Sequence, residues 1–203
     1  MVNAKIIHEL QSIAQAGLAY CTSEYDRERY SRLLALTAEM ATMCSQKKYE
    51  EIFEIFSAEG GYNTPKVDVR AAVFKDDQIL MVREREDNLW SLPGGWADVM
   101  LSPSANIVKE IQEETGFLCQ TTKLVAVYDK SLHDRASSWP HIYKMLFLCE
   151  ICEGKATPSF ETLEVRFFSR DNIPPLSLNR TTSRYIEHSF KHYAAPHLPT
   201  EFD

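Results

Sequence analysis

The chain has 203 residues, a hydrophobic fraction of 44%, a charged fraction of 25% and a net charge of −7, which suits one medium domain or a compact domain with a small one. No run approaches the roughly 20 apolar residues of a membrane span, and the opening MVNAKIIHELQSIAQAG has no signal-peptide core or cleavage site, which points away from secretion by that route. An acidic chain without a basic tract repels nucleic acid, so nucleic acid is not an expected partner, and an anionic substrate would need a cation at its site.

Residues 4 to about 58 read as helical. Ile6, Leu10, Ile13, Ala14 and Leu18 fall at helical spacing, and Leu33, Leu36, Met40 and Met43 form a second stripe after the polar segment TSEYDRERY. A third run, YEEIFEIF, precedes Gly60 and Gly61, and Pro65 marks a new start. From Val67 the pattern becomes strand-like: VDVRAAVF and QILMVRE are separated by KDD, a hairpin signal. A helix is predicted over 103–115. LVAVYD, IYKMLFLCEI and VRFFS are three further strand candidates, Pro174 and Pro175 break the chain, and TTSRYIEHSFKHYAA reads as a last helix. The expected class is α+β: a small helical N-terminal domain over 1–62, followed by an α+β domain over 63–203.

The five cysteines, Cys21, Cys44, Cys119, Cys149 and Cys152, are odd in number and irregular in spacing. That argues for reduced thiols in a cytoplasmic protein. Cys149 and Cys152 form a C-x-x-C, but a zinc site would want two more ligands at matching spacing. They read as apolar-like residues of the strand MLFLCEIC.

The informative segment is 92–117, LPGGWADVMLSPSANIVKEIQEETGF. Ser102 can cap a helix, Pro103 suits its first turn, and Gly116 can end it in the left-handed conformation. Ile107 and Ile111, one turn apart, give it a buried side. Glu110, Glu113 and Glu114 stand at i, i+3 and i+4, so three carboxylates share a face. Like charges at this spacing repel, and acids near a helix C-terminus oppose the macrodipole. A solvated acidic face tolerates both penalties; a bound divalent cation would remove them. Hard Mg²⁺ prefers oxygen ligands and commonly bridges carboxylates to substrate phosphates. Gly94 and Gly95 just before the helix let backbone approach a ligand.

This segment resembles the Nudix box, GX5EX7REUXEEXGU, with U a bulky apolar residue. Gly95, Glu110, Ile111, Glu113, Glu114, Gly116 and Phe117 match without gaps. The early Glu is Leu101 here and the Arg is Lys109; Asp98 is the nearest acid that could hold the loop instead. IAQAGLAYCTSEYDRERY, VDVRAAVF, NLWSLPGGWADV, HIYKMLFLCEI and ETLEVRFFSRDNIPPLSL extend the resemblance to a Nudix subgroup with a helical N-terminal domain, which includes bacterial CDP-choline and ADP-ribose pyrophosphatases. The resemblance implies an α/β/α sandwich with a mixed sheet, a homodimer with contacts through the helical domain, and Mg²⁺ or Mn²⁺ held by Glu110, Glu113 and Glu114. It implies hydrolysis of a small nucleoside diphosphate linked to another moiety, with CDP-choline the lead substrate and ADP-ribose second. The alternative is a Nudix-fold module that binds a nucleotide sugar, or acts as a regulator, with little catalysis.

The general base is open between Glu110 or Glu114 in the box and a later loop carrying Glu161 and Glu164. Glu161 is preferred, because Glu164 can simply alternate outward in a strand. Arg83 and Arg85 share a strand face and could meet phosphates, or could pair with the neighbouring acids Glu84, Glu86 and Asp87. Trp96, Tyr143 and Lys144 are further substrate-binding candidates. Trp90, Tyr128 and His141 fit pocket lining or core packing. His133 opens onto DRASSWPH, a candidate cover for the site.

Overall fold

The computed structural model describes residues 4–45, 47–133 and 139–203, so residues 134–138 of the covering-loop candidate DRASSWPH lie outside the described residues. Two compact units emerge. The first runs to Lys66 and resumes over Lys130–Ile142; the second holds Val67–Asp129 and Tyr143–Asp203.

The first unit is built from α1 (Ala4–Tyr20), α2 (Glu24–Thr42) and α3 (Tyr49–Ser57). Ile7, Ala14, Leu34, Ala38, Ala41, Ile52 and Phe56 form its core. The three alanines on α1 and α2 allow the helix backbones to approach closely. Trp139 completes this core, after the short α5 (Lys130–His133), and stacks on His8 with ring centroids 5.0 Å apart. Gln15 Nε2 donates to the Phe56 carbonyl at 2.6 Å and ties α1 to the end of α3.

The sequence stripe on α1 is met in part, with Ala14 in the core and Leu18 packed against it. Ile7, Gln11, Ala14 and Gln15 are buried, whereas Ile6 and Ile13 are 50% and 49% exposed. The helix carries two overlapping stripes that share Ala14, and the one through Ile7 packs inside. On α2, Leu34, Thr37, Ala38 and Ala41 are buried and the predicted Leu33 and Met40 pack against the core, while Leu36 and, just past the helix, Met43 face outward. TSEYDRERY is mostly helix: α2 starts at Glu24, and Glu24 and Asp26 in its first turn favour the positive end of the helix dipole.

The second unit contains β1 (Lys66–Lys75), β2 (Gln78–Glu84), β3 (Trp90–Ser91), α4 (Pro103–Thr115), β4 (Phe117–Asp129), β5 (Ile142–Gly154), β6 (Thr162–Phe168), α6 (Ser183–Ala194) and β7 (Glu201–Phe202). The sheet order is β3-β2-β1-β5-β4-β7, and β6 pairs with β2 along most of its length. The β1–β2 hairpin turns on Asp76 and Asp77, both at positive φ, as a two-residue hairpin requires. β4 and β5 pair antiparallel, whereas β7 adds to β4 in parallel, so the sheet is mixed.

Each face of the sheet is covered. Val69, Ala71, Val73, Leu80, Val82 and Phe147 pack under Ile107 and Ile111 of α4. Ala72, Ile79, Met81, Leu146 and Leu148 pack under Tyr185, Ile186 and Phe190 of α6. The result is an α/β/α sandwich. Strand alternation sends Val69, Ala71 and Val73 to one face and leaves Asp68 and Arg70 on the other. Cys119 and Cys149 sit in the α4-side core, and none of the five cysteines is in a disulfide.

The α4 face is what holds the acidic helix in register with the strands. Ile111→Ala should therefore cost about 2–5 kcal/mol in urea denaturation. Leu101→Ala, at a half-exposed position, should change stability by less than about 0.5 kcal/mol.

Candidate active site

The acidic helix begins and ends as its sequence dictates. Ser102 accepts from the Ala105 amide, Pro103 opens the first turn, and Gly116 closes the helix at φ 74°, its amide bonded to the Gln112 carbonyl. Before it, the segment 92–97 is bonded to its neighbours at nearly every residue. The Ala71 amide donates to Pro93, the Val69 amide to Gly95, and the Ala97 amide to Val67. Leu92 receives Arg70 Nη1 at its carbonyl and donates its amide to Thr181 Oγ1 at 2.9 Å.

The helix and the loop meet through two carboxylates. Glu114 Oε2 accepts from the Gly94 amide at 2.8 Å and is buried. Gly94 stands at φ 133° with the Val69 carbonyl where a Cβ would sit, so only glycine fits. At Gly95 a Cβ would lie 2.9 Å from Glu110 Oε2, so the loop leaves that carboxylate its space. Glu113 turns away: it is exposed and accepts from Lys109 Nζ at 2.8 Å. The predicted trio is thus two carboxylates against the loop and a third on the outer flank.

Burial pushes the Glu114 carboxyl up to about 8, with Glu84 and Glu110 adding to the rise against Arg70 and the Gly94 amide. Burial also raises Glu110, and Glu113 and Asp98 add to it against Lys109 and Arg70. Two carboxyls held so unfavourably for their charged forms suit a cation. Their hard oxygens match Mg²⁺ or Mn²⁺, and the glycine loop leaves room beside them. Among the described residues, no three His, Cys, Asp or Glu side chains converge as a ready-made cage. Such an ion would therefore rely on the two loop-facing carboxylates, the flanking Glu113 and oxygens from outside the protein.

Beneath the loop lies a buried charge network that the sequence reading did not single out. Arg70 is bidentate to Asp68, at 3.0 Å for each bond. Lys144 Nζ reaches Asp68 at 3.1 Å and the Arg180 carbonyl at 2.9 Å. Burial alone would raise the Asp68 carboxyl, but Arg70 and Lys144 hold it below its ordinary value. Arg180 in turn faces Glu84 at 3.3 Å and bonds Glu86. The available signal was Asp68 and Arg70 themselves, two charges two residues apart inside the apolar strand VDVRAAVF.

The loop before the helix is clamped by another unforeseen residue. Asn106, fully buried, accepts from the Asp98 amide at 2.8 Å and donates to the Asp98 carbonyl at 3.1 Å. It also reaches the carbonyls of Leu101 and Ser102. Asp98 itself pairs with Lys109 at 3.1 Å.

The other predicted residues divide. Thr162 Oγ1 donates to the Glu114 carbonyl at 3.0 Å, so the loop carrying the exposed Glu161 meets the end of α4. Arg85 is tied to that loop through the Phe160 carbonyl at 2.7 Å and the Glu161 carbonyl at 3.1 Å. Arg83 pairs with Glu164 at 2.8 Å. Trp96 is 52% exposed beside the glycines, and Tyr143 is partly exposed on β5. Lys144 is buried in the Asp68 pair and does not present its ammonium to solvent. Trp90 is core, edge-on to Phe168, and Tyr128 is core, stacked on Tyr185. His141 packs near His8 in the helical unit.

The raised Glu114 carboxyl has a thermodynamic consequence. Because the fold favours its protonated form, that contribution to stability is present below the ordinary value of 4.5 and lost as the pH rises through about 8. In EDTA, Glu114→Gln should match wild type at pH 5 and exceed it at pH 9 by about 1–3 kcal/mol in urea denaturation. An unchanged difference across that range would contradict the burial account.

Residues 3–56 match the family model described as a UDP-X-like, N-terminal oligomerisation domain, and residues 64–189 match the NUDIX domain. A Bacillus subtilis (strain 168) protein named "Putative ADP-ribose pyrophosphatase YjhB" is 44% identical over 194 residues, covering 96% of this chain and 93% of that protein. The crystal structure of an ADP-ribose pyrophosphatase from Streptococcus suis 89-1591 superposes with a TM-score of 0.64 at 41% identity, over 69% of this chain and 100% of that one. That of a UDP-X diphosphatase gives 0.65 at 35% identity, over 98% and 97%. Box, fold and both domain matches agree: the chain belongs to the Nudix hydrolase family.

Proposed function

We propose that this protein is a divalent-cation-dependent pyrophosphohydrolase that splits a nucleoside diphosphate linked to a second moiety, releasing a nucleoside monophosphate and the phosphorylated moiety. The observation that carries this reading is the pairing of the glycine loop with the acidic helix, Gly94 on Glu114 and Gly95 against Glu110. ADP-ribose is the leading substrate, supported by the names of the B. subtilis and S. suis relatives. A UDP-linked compound stands beside it by likeness to the UDP-X diphosphatase. CDP-choline, the first choice from sequence, now ranks behind them.

Glu110, Glu113 and Glu114 would hold Mg²⁺ or Mn²⁺, which supplies charge neutralisation at the phosphoryl oxygens and a bound water of lowered pKa. The rest falls to this chain's own groups. Glu161 sits on the loop that Thr162 ties to the end of α4, and it is the candidate to take a proton from the attacking water. Arg85, fixed to the same loop, is the candidate to offer positive charge to a diphosphate. Arg83 is already engaged by Glu164 and contributes only if that pair opens. Trp96 and Tyr143 offer exposed aromatic faces for a base or sugar. Lys144 acts from below, by holding Asp68 against Arg70.

We also propose that the helical unit mediates a homodimer. The outward stripe Ile6, Ile13 and Tyr20 on α1, with Leu36 on α2 and Met43 just past its end, supports this, as does the oligomerisation description of its matching domain. A cytoplasmic setting fits five cysteines outside any disulfide. No described helix is long and apolar enough to cross a membrane.

Two measurements test these readings. Offered ADP-ribose, a UDP-sugar, CDP-choline and a dNTP with Mg²⁺, the protein should convert ADP-ribose to AMP and ribose 5-phosphate, read by ³¹P NMR. Glu114→Gln should lose more turnover than the roughly 10- to 100-fold that removal of an outer-shell metal partner costs. Failure to cleave any substrate with Mg²⁺ or Mn²⁺ would leave a binding module as the better account. In light scattering, Ile13→Glu should halve the solution mass; an unchanged mass would place the dimer contact elsewhere or remove it.

A further inference from the structure

Lys109 stands among three carboxylates. Its Nζ lies 2.8 Å from Glu113 Oε2, 3.1 Å from Asp98 Oδ2 and 3.7 Å from Glu110 Oε1. An ammonium is a compact point charge with three rotatable donors, so it can serve three carboxylates at once. A guanidinium at the same position would favour a two-bond fork on one of them.

The three attachments are unequal. The Lys109–Glu113 pair runs with the cation N-terminal to the anion, the less favourable order at i, i+4. Glu113 and Asp98 are exposed alike, so solvent screens both pairs. Glu110 is the most distant of the three. Asp98 differs, because Asn106 grips its backbone at both the amide and the carbonyl. Its carboxylate therefore stands on a fixed stretch of loop and outside the trio read as metal ligands, so it stays available to the lysine when the glutamates are taken.

We propose that Lys109 is an internal counter-cation that a divalent ion displaces from Glu110 and Glu113, with Asp98 retaining the lysine after the exchange. This rests on the reading of those glutamates as metal ligands. In the cation-free protein Lys109 offsets repulsion between neighbouring carboxylates. When an ion arrives, the lysine gives up the two glutamates, and its charge remains satisfied at Asp98. Lys109 is a positioning residue in this scheme, and it sets the threshold of cation concentration at which the site fills.

The test is Mn²⁺ binding to the intact protein without substrate, followed by electron paramagnetic resonance. Lys109→Met should bind Mn²⁺ about 2- to 5-fold more tightly than wild type, the scale of an exposed charge pair. The gain should shrink as salt rises. Lys109→Arg, which keeps the charge, should stay within about twofold of wild type. Asp98→Asn should weaken binding, because the released lysine falls back on the glutamates. In the Lys109→Met background the same Asp98→Asn change should have a smaller effect. Equal or weaker Mn²⁺ binding by Lys109→Met, with its circular dichroism unchanged, would overturn the displacement scheme. So would an undiminished effect of Asp98→Asn in the double variant. Absence of Mn²⁺ binding in wild type would instead remove the metal-ligand reading on which the scheme stands.

Discussion

The hydrogen bond from the Gly94 amide to the Glu114 carboxylate is the point around which the second unit is organised. It joins the loop after β3 to the last turn of α4, two segments the chain separates by a full helix. Neither partner could be held there alone. A carboxylate at a helix C-terminus opposes the dipole, and a glycine loses more conformational freedom on ordering than any other residue. The bond persists because both sides are over-determined. Ile107 and Ile111 fix the helix on the sheet, and strand β1 fixes the loop through the Val69 and Ala71 amides.

The ion cluster under the loop serves the same end by another route. A fully buried Arg–Asp pair adds little net stability, because desolvation consumes most of the attraction. Its value here is directional. Arg70 spends two donors on Asp68 and a third on the Leu92 carbonyl, so the loop cannot shift without leaving a buried charge unpaired. Lys144 and Arg180 extend this constraint to the segment 177–181, whose Thr181 hydroxyl holds the other side of Leu92. Catalytic groups need such rigid support more than they need extra stability.

Much of this was legible in the sequence. Ser102, Pro103 and Gly116 mark the acidic helix to the residue, because capping is local chemistry written in single side chains. The β1–β2 hairpin was readable from KDD for the same reason. Burial on α1 was not, since Ile6 and Ile13 match the helical period as well as Ile7 and Ala14 do, and only the shape of the neighbouring helices decides between them. The site shows the same division. The carboxylates could be found by spacing, but Asn106 as loop clamp and Lys144 as a buried partner depend on segments that meet only in three dimensions. The departure at Lys109 acquires a meaning only beside Asp98, far from it along the chain yet 3.1 Å away in space.

Trp139 carries a consequence for how the chain assembles. It belongs to the core of the helical unit, yet it is encoded between β4 and β5 of the other unit. The chain therefore crosses from one unit to the other more than once, and no single cut separates them into whole pieces. During synthesis the three helices leave the ribosome first but wait, with an unfilled place in their core, until four strands and the acidic helix have followed. Recombination that exchanged only the leading helices would carry off a core missing its indole and strand a tryptophan without a home, so the two units are bound to be inherited together.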